Sequence, residues 1–282
     1  MNRQKKYYYV LLVFFIHVGC LTTYGQKEVD YTRFIMLKKG YKVYPYPETS
    51  LKTNNFMILE PGLPVLPLLG GLYAPSLKTW LADPAKPYIT ASDQFLTTKD
   101  TFLQVLKTDP AGKSVWLQKV KRLDNNNQYP ALCKLPYGQY DFKLSVAGNA
   151  FIWGVDSAAS HLWFFDNKQI KMLYTTTKYL SDLAVVNDAN VLVAQDSTVW
   201  LIGCAQPPKV FIKLDLPIDG LSLTDDGTLF VSTVRGILHF YSAEADDFDV
   251  VTKTIHGRIR IYRNKLFVLW REKNQVVEIK LK

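Results

Sequence analysis

Residues 219–242 read DGLSLTDDGTLFVSTVRGILHFYS. Three short runs rich in apolar and β-branched residues, GLSL, TLFVST and GILHF, are separated by tight polar connections that carry Asp and Gly, the composition of antiparallel strands joined by turns. A three-strand unit of this length has too little apolar surface to stand alone. Its meaning therefore depends on whether the chain repeats it.

It does. Aligned on the second run, the chain gives AFIWGVDSAASHLWFF from Ala150, NVLVAQDSTVWLI from Asn190, TLFVSTVRGILHF from Thr228 and KLFVLWREKNQVVEI from Lys265, at steps of 40, 38 and 37 residues. Each copy is preceded by a short alternating run, FKLSV at Phe142, LAVV at Leu183, LSL at Leu221 and RIRI at Arg258, with AGN, NDA, DDG or YRN as the turn between. Three copies are followed by a further run, QIKMLYT, KVFIKLDL and FDVVTKTI. Four antiparallel strands every 37 to 40 residues is the repeat of a β-propeller blade. The fold class expected is all-β.

Two further blades are expected upstream. YITAS, FLTTK, TFLQVLK and VWLQKVKR, starting at Tyr88, Phe95, Thr101 and Val115, keep the strand order, with an insertion over residues 124–138 (DNNNQYPALCKLPYG) before the next copy. Residues 39–83 offer YKVYPY, NFMIL and LKTWLA as strands around the Pro-rich GLPVLPLLGGLYAP; counting them as a blade gives six, the number expected here, and treating the Pro-rich stretch as a packed loop gives five. The last copy ends at Lys282 after its third strand, which leaves an unpaired edge. Residues 29–37 (VDYTRFIML) form a strand with no blade of its own and are expected to supply the missing fourth strand, closing the ring through the two termini.

The first 25 residues stand apart. MNRQKK is a basic start, residues 7–19 (YYYVLLVFFIHVG) are an apolar stretch of 13 residues, and Thr23-Tyr24-Gly25 ends in the small residue that signal peptidase needs. A spanning helix wants about 20 apolar residues, so residues 1–25 read as a secretory signal and residues 26–282 as one propeller domain. Cys20 after Gly19 leaves lipidation open, although His17 sits where a lipoprotein signal has an aliphatic residue. Membrane association is expected only if the leader is retained or Cys20 is lipidated. With Gln26 directly after the cut, the leader resembles those of exported Bacteroidetes-type proteins.

The formal charge of +9 includes Arg3, Lys5 and Lys6, so the chain without its leader carries +6 and has no dense basic run. That argues against a nucleic-acid partner. Of the three cysteines, Cys133 and Cys204 remain after cleavage; they either pair or are two separate buried thiols.

The segment IDGLSLTDDGTLFVSTVRGILHF (218–240) resembles repeats of the six-bladed propeller superfamily, the NHL, SMP-30/gluconolactonase and two-component-regulator propeller groups. The likeness runs over residues 141–282 and more loosely over 39–127. Three blades depart from its D-x-G turn, with Ala147-Gly148-Asn149, Asn187-Asp188-Ala189 and Tyr262-Arg263-Asn264 in its place.

Chemistry is sparse. HExxH, paired CxxC, GxSxG and GxGxxG are absent, and Gly112-Lys113-Ser114 lacks the earlier glycine of a phosphate loop, Lys107 standing there. His161 and His239 fall in third strands and read as packed side chains; Trp153, Trp163, Trp200 and Trp270 read as core, with Trp80 and Trp116 nearer a rim. His256 lies instead in a link from a fourth strand to the next first strand, as do Asp141, Asp182 and Asp219. In a propeller these links converge on one face of the central channel, so Asp141, Asp182, Asp219 and His256, with Arg258 beside them, are the channel-face candidates for ligand binding.

The resemblance to SMP-30-like lactonases implies a divalent metal held there by oxygen ligands, but their early-blade Glu and ring Asn have no evident counterpart, and Asp before a strand also serves as a turn former. Arg258, Arg260 and Arg263 alternate along the last first-strand and suit either salt bridges between blades or an anionic ligand. Two functions follow. One is an exported, non-catalytic binding or scaffold propeller of the periplasm, outer membrane or cell surface that recognises a protein or glycan partner and needs no cofactor. The other is a lactonase-like hydrolase with a metal at the channel.

Overall fold

A computed structural model describes residues 41–281, apart from 86, 96, 99–100, 108–113, 122–129, 137 and 242–247. The described residues form six four-stranded antiparallel sheets arranged as the blades of a propeller. From inner to outer strand, blade 1 is Met57–Leu59, Leu63–Leu68, Gly71–Ala74 and Thr79–Ala82, and blade 2 is Tyr88–Gln94, Phe102–Lys107, Val115–Val120 and Ala131–Leu135. Blade 3 is Gln139–Leu144, Ala150–Val155, Ser160–Phe165 and Ile170–Thr176; blade 4 is Leu180–Val185, Asn190–Gln195, Thr198–Gly203 and Lys209–Lys213. Blade 5 is Ile218–Leu223, Leu229–Thr233, Gly236–Phe240 and Phe248–Thr252. Blade 6 takes Gly257–Tyr262, Lys265–Trp270 and Gln275–Lys280 from the C-terminal end and its outer strand, Lys42–Pro45, from the N-terminal side.

Burial explains why the second strands carry the repeat so plainly. Each is covered on both faces by neighbouring blades, so FLQVLK is buried at every position and AFIWGV and KLFVLW at all but one; such strands read as continuous apolar runs. The outer strand IKMLYTT, by contrast, has no fully buried residue. Five apolar clusters are each shared by two adjacent blades, for example Val105 and Leu117 of blade 2 with Phe142, Ile152 and Trp163 of blade 3, and Phe56, Leu66 and Leu68 ahead of and in blade 1 with Phe267 and Val276 of blade 6. The core is thus a ring of inter-blade sandwiches around a polar axis.

The expected six-blade count holds, and two other expectations need correction. In blade 1 the Pro-rich stretch supplies two of the strands: Leu63–Val65 pairs with Met57–Leu59, and Leu66–Leu68 pairs with Gly71–Tyr73. Because each half of that strand pairs on one side only, Pro64 and Pro67 sit where a missing N–H costs little. In blade 2 the expected order slips by one: Phe95 falls in the connection, where its N–H donates to Thr101 O at 3.0 Å, TFLQVLK supplies the second strand, and the fourth strand ALCKL comes from inside the supposed insertion. The closing strand is Lys42–Pro45, in register from Lys42↔Lys280 to Pro45↔Val277, so YKVYPY serves blade 6 and not blade 1. Residues 29–37, expected in that place, lie outside the described residues.

Candidate functional site at the channel

The period-2 pattern of an inner strand places alternate side chains on the channel. In blade 3 these are Asp141 and Lys143, and in blade 6 Arg258 and Arg260. Registering each inner strand against its second strand aligns Asp182 with Asp141 and Arg258, and puts Asp93 at the level of Lys143 and Arg260. Three acids and three bases therefore line the axis in two layers.

They bind one another across it. Arg258 donates through Nη1 to Asp141 Oδ2 and, at 3.1 Å, to Asn55 Oδ1. Arg260 Nη1 lies 3.0 Å from Asp182 Oδ2 and 3.3 Å from Oδ1, and its Nη2 is 4.0 Å from Asp141. Lys143 reaches from blade 3 to donate to the Leu183 carbonyl of blade 4 and, at 3.3 Å, the Leu221 carbonyl of blade 5, with Asp182 Oδ1 at 3.7 Å. Blades 3 and 6 are opposite in a ring of six, so the Arg258–Asp141 pair spans the channel.

The site's electrostatics follow from this enclosure. Burial pushes Asp182 up, but Arg260, Lys143, Arg258 and the Leu221 N–H at 3.0 Å outweigh it and hold the carboxyl below its ordinary value. Asp93 has weaker compensation, the Leu144 and Gln94 N–H groups and more distant cations, and burial lifts it to about 6. Lys143 is drawn down to about 7 by burial and then by Arg260, against the pull of Asp182 and Asp141. Burial opposes the charge on Arg258, yet Asp141 and Asp182 raise it.

The five expected channel residues do not form one ring. Asp141, Asp182 and Arg258 join the network. Asp219 does not: the pairing steps from Ile218↔Thr233 to Gly220↔Ser232, so Asp219 is the extra residue of a bulge, which re-aims its side chain. It meets His256 Nδ1 at 2.8 Å, while His256 Nε2 faces Glu272 at 3.5 Å. The bond to Asp219 leads the causes that raise His256 above the ordinary histidine value. This pair is a separate clasp between blades 5 and 6.

Above the network, on the face where fourth-to-first links open, lies a cup of about 710 Å³. Asn55, Lys52, Gln139, Trp153, Tyr179 and Arg258 are among its lining. Arg258 stacks over the Trp153 ring at 5.3 Å. Two buried polar atoms on lining residues, the Tyr140 hydroxyl and Arg258 Nε, have no partner among the described residues. Burial pushes the Tyr140 hydroxyl up to about 12, so it stays a donor.

A divalent metal needs several carboxylate or carbonyl oxygens free to turn to it. Here Asp141 Oδ2 and Asp182 Oδ2 are taken by guanidinium groups, and positive side chains occupy the space between the carboxylates. The donor set does not fit the implied metal. The packed histidines behave as expected: His161, nearly buried, bonds Asp156 Oδ2 at 2.7 Å and Thr175 Oγ1 at 3.1 Å, and His239 stacks on Phe230. Lys143, Arg260 and Asp93 were not foreseen as channel residues; the signal that finds them is the i, i+2 step from Asp141, Arg258 and Ala91 along strands already placed at the axis.

No family model matches the sequence, and no curated protein matches it. Solved structures do match in fold. A gluconolactonase from Xanthomonas campestris superposes with a TM-score of 0.64 over 88% of this chain and 95% of its own, at 11% identity. A luciferin-regenerating enzyme gives 0.63 over 86% and 95%, at 12% identity. The extracellular domain ascribed to a hybrid two component system of B. thetaiotaomicron gives 0.51 over 86% of this chain and 39% of that one, at 8% identity. Identities this low establish the six-bladed architecture alone.

Proposed function

We propose that this propeller is exported by its N-terminal leader and acts as a non-catalytic binding module of the cell envelope, taking an oxygen-rich segment of a glycan or protein partner into the cup. The observation that carries the reading is the pair of orphaned donors. A buried donor left without a partner costs about 1–3 kcal/mol, and the Tyr140 hydroxyl and Arg258 Nε, on two residues that line the cup, are each relieved of that cost by a ligand oxygen that reaches them. The self-neutralised ion layer beneath gives the cup a rigid floor, so binding orders little of the protein. Likeness to an extracellular domain is in keeping with export.

The second reading, a metal-dependent lactone hydrolase, is favoured by the likeness to a gluconolactonase and opposed by the arginine-filled donor set. Calorimetric titration with peptidoglycan fragments and acidic glycans, on wild type and Tyr140→Phe, tests the proposal. Binding weakened about fivefold in a variant that melts no lower than wild type supports it. Turnover of gluconolactone stimulated by added Ca²⁺, Mn²⁺ or Zn²⁺ and lost in Asp182→Asn overturns it.

A further inference from the structure

On the opposite face, where first-to-second turns project, a second cavity of about 650 Å³ opens between blades 5 and 6. One wall is a ladder of rings. Phe230, buried, stacks on His239 at 4.4 Å and 9°, and His239 meets Tyr241 at 4.3 Å. The Tyr241 hydroxyl donates to Asp249, so the outermost ring is fixed at its edge and from behind while half its surface stays exposed, at 52%. A core stack that stopped at His239 would serve packing equally well; Tyr241 extends it into solvent.

Polar groups converge on the same space. Asp226, in the lining, receives the Thr224 hydroxyl and, at 3.2 Å, the Thr228 N–H, both on Oδ1, which orients the carboxylate. Those contacts hold Asp226 ionised, below the ordinary carboxylate value. Across from it stand Arg263 and Asn264 in the turn of blade 6. Arg263 sits at φ +56, a left-handed turn position, and its guanidinium lies 5.1 Å over Tyr262 with Glu60 at 3.2 Å.

We infer that this cleft is a carbohydrate-binding site, separate from the cup, that stacks a pyranose ring on Tyr241 and bonds its vicinal hydroxyls to Asp226 and Asn264. The chemistry is complementary. One face of a pyranose carries axial C–H groups that pack on an aromatic ring, and its hydroxyl pairs match a carboxylate and an amide, each offering bonds in one plane. The volume suits one or two sugar units. Because both the ring and the carboxylate are held before any ligand arrives, little ordering accompanies binding. The site needs nothing from the channel network and stands or falls independently of the cup.

The test uses the full chain with three probes at millimolar concentration, methyl β-D-glucopyranoside, methyl β-N-acetylglucosaminide and D-glucuronate, followed by saturation-transfer NMR and titration. At least one probe should bind. Tyr241→Ala should weaken it about tenfold, Tyr241→Phe by no more than about twofold, and Asp226→Asn about fivefold. Lys52→Ala, in the cup, should leave it unchanged. Because Asp226 is exposed and Tyr241→Phe keeps the stack, these variants carry the test even if Tyr241→Ala does not fold. Absence of binding by all three probes, a Tyr241→Ala protein that binds as wild type, or loss of binding in Lys52→Ala overturns the inference.

Discussion

Replacing Asp182 by Asn probes the ion network at its centre. Asp182 is fully buried and holds Arg260 at 3.0 Å, the Leu221 N–H at 3.0 Å and Lys143 at 3.7 Å. Removing one member of a buried pair costs about 3–5 kcal/mol because the partner charge is left uncompensated. Two features place this site at the lower end. Asn keeps the volume and one acceptor oxygen for Leu221, and Lys143, already drawn down to about 7, can release its proton and relieve the excess positive charge. The expected loss is therefore about 3 kcal/mol, roughly 6–12 °C in Tm for a chain of this size. Urea unfolding gives the free energy, and an unchanged m-value confirms that only the native state was altered. Adding Lys143→Met to Asp182→Asn removes a cation with the anion and should restore about 1–2 kcal/mol as a coupling energy. A single variant within about 0.5 kcal/mol of wild type, with additive doubles, would refute the picture of a balanced channel.

The same network sets a pH dependence. Lys143 binds its proton less tightly folded, at about 7, than at its ordinary 10.5, so its contribution to stability is complete above 10.5 and is lost as pH falls toward 7. The wild-type urea midpoint should therefore rise from pH 7 to 9.5 relative to Lys143→Met. Asp93 adds the opposite slope lower down: its carboxyl is raised from 3.8 to about 6, so stability falls as pH rises through that window, and Asp93→Asn should flatten the fall. Among the turns, Gly236→Ala should cost about 4 kcal/mol or more, since its φ is +114 and a Cβ would come 1.9 Å from Thr252 O. Gly227→Ala, at φ +86 with nothing within 4 Å, should cost only about 1–2 kcal/mol; equal melting points for the two would contradict the geometry. Cys133 and Cys204 are both free, on blades 2 and 4, and burial lifts the Cys133 thiol to about 11. In denatured protein both Cys133 and Cys204 should react with a thiol reagent without reductant, and Cys133 should resist alkylation at pH 8 in the folded state.

The blades were legible in the sequence wherever a strand has both faces covered. Phe151, Val191, Leu229 and Leu266 fall within the first two residues of their second strands at a regular step, and all four are buried. Blade 1 was obscured by Pro64 and Pro67, which suit a strand that pairs on one side at a time, and blade 2 by Phe95, whose apolar side chain packs from a connection and mimics a strand start. At the channel, Asp141 and Arg258 were found by position, but their union joins residues 117 apart in sequence and is set by ring closure, which no local pattern encodes. The displacement of Asp219 was within reach: Asp182 immediately precedes Leu183, whereas Gly220 intervenes between Asp219 and Leu221.

The outer strand of blade 6 has one further consequence. Lys42 must meet Lys280, yet ribosomes deliver the two ends of the chain at opposite moments. Among the described strands Lys42–Pro45 comes first in the chain, and it stays unpaired until the last, Gln275–Lys280, is in place. A chain cut short before Gln275 therefore lacks the partner of Lys42–Pro45 and leaves strand edges open at the seam of the ring.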